Sequence, residues 1–140
     1  MKISLHDYLM GRDAIYPQEV TPELLKNAEH TVNMVNALLA VLNAQNVPVE
    51  LHPQTKTVIA SGWRPPQING QTKGAAVKSK HMSGEAVDLY DPDGVIDDYF
   101  MDNPGPLVAL GLYQEHPSAT KNWCHIQTVP PRSGKRVFYP

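Results

Sequence analysis

The most strand-like run of this chain has an aspartate in its middle, and that limits what the chain can fold into. From Glu85 onward Ala86, Val87 and Leu89 supply apolar residues, and the turn signal Asp91-Pro92-Asp93-Gly94 closes the run. Period-two alternation puts Glu85, Val87 and Leu89 on one face and Ala86, Asp88 and Tyr90 on the other. A carboxylate inside a strand is costly unless a compensating charge meets it, and a cation supplies one. His81 lies in the loop feeding this strand, with Gly84 between them to let the chain bend so that imidazole and carboxylate converge. A second strand-like run, Asn122-Trp123-Cys124-His125-Ile126-Gln127-Thr128-Val129, is rich in large and β-branched residues. If regular, it shows His125 on one face with Trp123 and Gln127, while Cys124 and Ile126 point the other way. Adjacent strands carrying Asp88 and His125 on a common face, with His81, would give three ligands and leave a fourth position open, which is what a catalytic zinc site requires.

The rest of the chain sets the frame for these residues. A length of 140 residues suits one domain able to bury a core without staples. Net charge of -2 gives no electrostatic reason to expect nucleic acid or a membrane surface as partner. One cysteine excludes an internal disulfide framework. The first residues lack the apolar run and cleavage site of a signal peptide, and no segment is apolar enough to cross a bilayer. Residues 1–20 read as an irregular lead-in. Thr21 as N-cap, Pro22 and Glu23 then open a helix whose apolar stripe Leu25, Ala28, Val32, Val35, Leu39 and Leu42 is suited to packing on a sheet. It is expected to end near Asn43 to Asn46. Residues 55–62 read as a strand delivering Arg64 to its end, and 67–80 as a long polar loop suited to a substrate rim. Short helices are expected over 95–101 and from Pro106 to Gly111, a loop over 113–121, and a basic tail over 130–140 in which only Val137-Phe138-Tyr139 can dock. The expected fold is α+β, a small mostly antiparallel sheet with helices packed against it.

The pattern Ser79-x-His81-x-x-Gly84-x-Ala86-x-Asp88, followed by Trp123-x-His125, resembles the zinc D-Ala-D-Ala carboxypeptidase and L-alanyl-D-glutamate endopeptidase group. Relatives of that group include the vancomycin-resistance dipeptidases and the hedgehog signalling domain. The resemblance implies that His81, Asp88 and His125 are zinc ligands, and that the fold is of the hedgehog/DD-peptidase kind. Upstream, Ser61-Gly62-Trp63-Arg64 resembles the group's Ser-Gly-Tyr-Arg segment, which implies that Arg64 lies in the substrate cleft. The matches span roughly residues 55 to 130. They imply a zinc peptidase acting on peptidoglycan stem peptides; a monomer is expected. The small size and missing signal resemble a phage lysis or tail-associated enzyme, cytoplasmic until released to the cell wall.

One position departs from the pattern. Many relatives carry an acidic residue three positions before the last histidine, and Asn122 stands there. An amide cannot relay a proton near neutral pH, so either the general base lies elsewhere or catalysis is impaired. Glu115, in the expected loop before the second strand, is the candidate base. A non-catalytic zinc-stabilised module binding peptidoglycan or protein is the alternative that Asn122 favours. Other reactive residues have simpler roles. Ser79 and Ser83 lack a nucleophile-elbow context and read as loop hydrogen-bonders. Cys124 reads as a small buried hydrophobe, and Asp91 and Asp93 as turn formers. His6, His30, His52 and Glu85 read as surface or core-edge residues.

Overall fold

The computed structural model describes residues 1–140. Three short helical segments open the chain: α1 (Leu5–Leu9), α2 (Arg12–Ile15) and a 3-10 turn (Pro17–Glu19). The long helix α3 (Pro22–Ala44) follows, then β1 (Ile59–Ser61), the short α4 (Pro66–Asn69), β2 (Ala86–Asp91), α5 (Val95–Asp102) and α6 (Gly105–Leu110). The chain finishes with β3 (Tyr113–Glu115), a 3-10 turn (Pro117–Ala119), β4 (Asn122–Gln127) and β5 (Val137–Phe138). The strands form one five-stranded sheet in the order β1-β2-β4-β3-β5, antiparallel throughout except for the parallel β3–β5 pair. This is the α+β, mostly antiparallel arrangement that the sequence implies.

Helix α3 begins where the capping signal stands, with Thr21 Oγ1 accepting the Leu24 N–H at 3.1 Å. Its buried residues Leu24, Ala28, Thr31, Val32, Val35, Leu38, Leu39 and Leu42 recur every three or four positions. All of them except Thr31 join Val87 and Leu89 of β2 and Cys124 and Ile126 of β4 in one apolar cluster. Each fully buried leucine or isoleucine there contributes about 1.5–3 kcal/mol relative to exposure. One sheet face is thereby committed to the core, and the opposite face, with Asp88 and His125, is left for polar work.

Several stretches differ from the sequence expectation. The lead-in is ordered structure: Ser4 and Asp7 form a reciprocal cap on α1, and Ile3 and Tyr8 are buried. Asn36 of α3 pins it by exchanging two hydrogen bonds with the Ile3 backbone. Tyr8 reaches across to donate from its hydroxyl to the Ala86 carbonyl at 2.7 Å. Segments of five and four residues carry little helix signal of their own, so tertiary contact makes them. The second difference lies at 113–121, where β3 replaces part of the expected loop. Strand β1 is also shorter than expected, at three residues.

Tyr8→Phe should remove the only side-chain partner of a buried carbonyl in β2 while keeping the ring. We expect a loss of about 1–3 kcal/mol in urea unfolding followed by circular dichroism. No loss would mean that the lead-in does not brace the sheet.

Candidate metal centre

The register between β2 and β4 decides what the polar face can do. Asp88 pairs directly with His125, flanked by Ala86 opposite Gln127 and Tyr90 opposite Trp123. Asp88 Oδ1 lies 2.9 Å from His125 Nδ1 and 3.3 Å from His81 Nε2. One ligand atom from each of the three residues fits within a mutual span of 4.8 Å.

His81 arrives from a loop with no regular structure, so its position is built by neighbours on both sides. Its Nδ1 lies 2.8 Å from the Gly62 carbonyl oxygen, which can only accept, so Nδ1 carries the proton and Nε2 presents a lone pair. The Arg64 N–H donates to the His81 carbonyl and the Trp63 indole N–H to the Met82 carbonyl, joining 62–64 to 81–82. On the other side, Thr31 Oγ1 donates to the Gly84 carbonyl at 2.7 Å and Asn27 to the Ser83 carbonyl at 3.0 Å, so α3 fixes the turn into β2. Gly84 has φ of +76° and passes so close that a Cβ would lie 3.1–3.3 Å from Leu24 and Ala28. At Gly62 the approach is tighter still: a Cβ would fall 2.1 Å from the Tyr8 carbonyl oxygen. Glycine at both positions lets the backbone come near enough to hold the imidazole.

His81 Nε2 and the Asp88 carboxylate are therefore two acceptors face to face, a contact that needs a proton or a cation between them. The geometry suits a cation. Two donors on one zinc at about 2.0–2.1 Å lie roughly 3.3–3.4 Å apart when tetrahedral, close to the separations from Asp88. Two imidazoles and one carboxylate match zinc chemistry, whereas calcium or magnesium asks for a mostly oxygen shell. Cys124 points into the core from the opposite face and is fully buried, so no thiolate competes. Burial pushes the Asp88 carboxyl up, but His81 and His125 outweigh that and hold it well below the ordinary carboxylate range. Burial pushes the His125 imidazole down, and its bond to Asp88 reverses this and raises it.

These residues open onto a cleft of about 540 Å³. Arg64 lines it, half buried; one Nη donates to Ser79 Oγ at 3.1 Å, and its buried Nε has no partner. Glu115 also lines the cleft, and here the sequence expectation is corrected: it ends strand β3 instead of lying in a loop. Tyr113 faces Gln127 and Gln114 faces Ile126, so the next step of this antiparallel register brings Glu115 alongside His125. Burial pushes its carboxyl above the ordinary range, against a smaller opposing pull from His125. Asn122, exposed with φ of 80°, opens β4 opposite Asp91 and takes no part in lining the cleft.

A family model described as Peptidase M15 matches residues 17–98. The chain belongs to this family. The M15 match takes in Arg64, His81 and Asp88 and stops before Glu115 and His125. No curated protein and no solved structure matches the chain. M15 members are zinc-dependent peptidases, and the His-Asp-His group in this chain is a fitting place for such an ion.

Sequence reasoning missed the polar network behind the site. Asp97, buried on α5, accepts from Gln114 Nε2 at 2.8 Å and Thr120 Oγ1 at 2.9 Å, tying β3 and the turn before β4 to the helix. Asp91 does more than form a turn, since its carboxylate accepts the Ile96 and Asp97 N–H groups at the start of α5. Nothing local marked the second, because Asp91 stands before the Gly94 N-cap, outside the usual capping position.

Zinc at about a hundred times its Kd should stabilise the folded chain by about 2.7 kcal/mol, a rise of several degrees in Tm by calorimetry. His125→Ala should abolish the zinc-induced rise whatever its own Tm. An equal rise in the variant would place the ion elsewhere.

Proposed function

We propose that this chain is a zinc-dependent hydrolase of peptide bonds in the stem peptides of peptidoglycan, of the D,D-carboxypeptidase or L-Ala-D-Glu endopeptidase type. The observation that carries the reading is the convergence of His81, Asp88 and His125 at the base of a cleft that also holds Glu115 and Arg64. In this reading the first three are the metal ligands. Zinc bound there supplies a Lewis acid that makes water acidic enough to ionise near neutral pH and polarises the scissile carbonyl.

The chain's own residues do the remaining work. Glu115, beside His125 and partly shielded from solvent, takes the proton from the attacking water at its carboxylate and passes it to the leaving amine. Its place on β3 provides the carboxylate that Asn122 does not. Arg64 orients the substrate: with Nε unengaged and one Nη held by Ser79, its planar fork is pre-aimed for a carboxylate. The wall continues this charge with Lys73, Lys78, Lys80 and Arg132, against only Asp88 and Glu115, although the chain as a whole is net negative. A peptide rich in free carboxylates, as stem peptides are, complements that wall. Trp123 and Phe138 supply the apolar contact that excludes water from the reacting bond.

The proposal extends to setting: this domain acts as a monomer on the cell wall, in a phage or bacterial context. A second reading, a zinc-stabilised module that binds peptidoglycan or protein without cleaving it, is favoured by Asn122 at the usual acidic position.

Digestion of purified peptidoglycan by the zinc-loaded protein, read by mass spectrometry, separates these readings. Free D-alanine or new D-glutamate amino termini are expected, and Glu115→Gln should lower turnover by about 10²–10⁴ with zinc affinity kept. Turnover unchanged in Glu115→Gln would remove it from the mechanism. Binding without any new termini would favour the non-catalytic module.

A further inference from the structure

His125 has a second ring contact that the peptidase chemistry leaves unexplained. Its Nε2 lies 3.0 Å from Gln127 Oε1, two residues along the same face of β4. Gln127 is almost fully buried, and its backbone is clamped between Ala86 on β2 and Tyr113 on β3. Its amide is oriented in turn, because Nε2 donates to the Val129 carbonyl at 2.9 Å. A backbone carbonyl only accepts, so the NH2 end must face Val129 and the oxygen end must face His125. That oxygen also only accepts, so once an ion takes the place of a proton between Nδ1 and Asp88, His125 keeps its proton on Nε2 for Gln127.

The Val129 carbonyl is available for a reason visible in the sequence. Strand β4 ends at Gln127, and the Thr128 N–H to the Glu85 carbonyl is the last backbone bond to the β2 side. Pro130 and Pro131 follow; Pro130 restricts Val129 to extended backbone, and neither proline has an N–H with which to continue a ladder. The carbonyl left over takes the glutamine amide.

We infer that Gln127 is a positioning residue for the metal centre: anchored on the Val129 carbonyl, it holds His125 in the tautomer whose Nδ1 is free to bind the ion. The inference rests on the reading of His125 as a ligand. In the zinc-free protein Asp88, 2.9 Å from Nδ1, competes for the same proton, since Nδ1–H would satisfy both groups without any ion. Gln127 offers that proton a partner on Nε2 and so favours the ring form that releases Nδ1 to the ion. His81 is set the same way by the Gly62 carbonyl, so both rings are held with the lone pair inward by acceptors whose own orientation is fixed.

Two measurements on the zinc-loaded protein test this. Long-range 15N–1H correlation NMR reads which His125 nitrogen binds the ion and which keeps its proton. Nε2–H is expected in the wild type, exchanging slowly with solvent, and exchanging faster in Gln127→Met, which keeps the length and loses the acceptor. Zinc affinity by chelator competition should fall about 10- to 100-fold in Gln127→Met and be largely kept in Gln127→Glu, which retains an acceptor oxygen. An Nδ1–H His125 in the wild type overturns the inference even if the Met variant fails to fold, and so does unchanged zinc affinity in a folded Met variant. A wild type that binds no zinc would instead remove the hydrolase reading, and with it the ligand role of His125 on which the inference rests.

Discussion

The structure depends on the register in which β2 meets β4. With Asp88 opposite His125, Val87 and Leu89 enter the core and Asp88, on the other face, lines the cleft. A slip of one residue would turn Asp88 into the apolar cluster and Val87 out to solvent, at a cost of several kcal/mol in buried charge and lost burial. The apolar face is covered by α3, so the core that stabilises the chain also fixes the geometry of the site. Fold and chemistry thus share one constraint, the two faces of a single strand pair.

The third member of the cluster is held differently. His81 is on a loop, and the precision a strand would give is replaced by close backbone approaches at Gly62 and Gly84. Tyr8 backs one of these and α3 the other. The first 16 residues precede the Peptidase M15 match, yet Tyr8 and Arg12 both bond to the 62–63 segment that orients His81. Support for the site therefore reaches beyond the part of the chain that carries the family pattern.

Much of this was legible in the sequence, and the rest was hidden for identifiable reasons. Helix α3 announced itself through its cap and its three-four spacing over 23 residues. Strands β2 and β4 were visible because alternation sorted Asp88 and His125 onto one face. Strand β3 was not, because it has three residues and buries a glutamine: Gln114 is polar in sequence and becomes a core residue only through Asp97, seventeen positions away. The ordering of α1 and α2 was equally invisible, since elements so short form only against a partner. Glu115 could be proposed from its chemistry, but its placement beside His125 needed the register of β3 on β4. Gln127 gave no local signal, because its role depends on a carbonyl freed by the prolines that follow it.

The central claim is that His81, Asp88 and His125 together hold one zinc ion. X-ray absorption at the zinc edge of the loaded protein tests it most directly. A first shell of about four light ligands near 2.0–2.1 Å, with the outer-shell scattering of two imidazoles, is the expected result. Sulfur at about 2.3 Å, or the signature of fewer than two imidazoles, would contradict it.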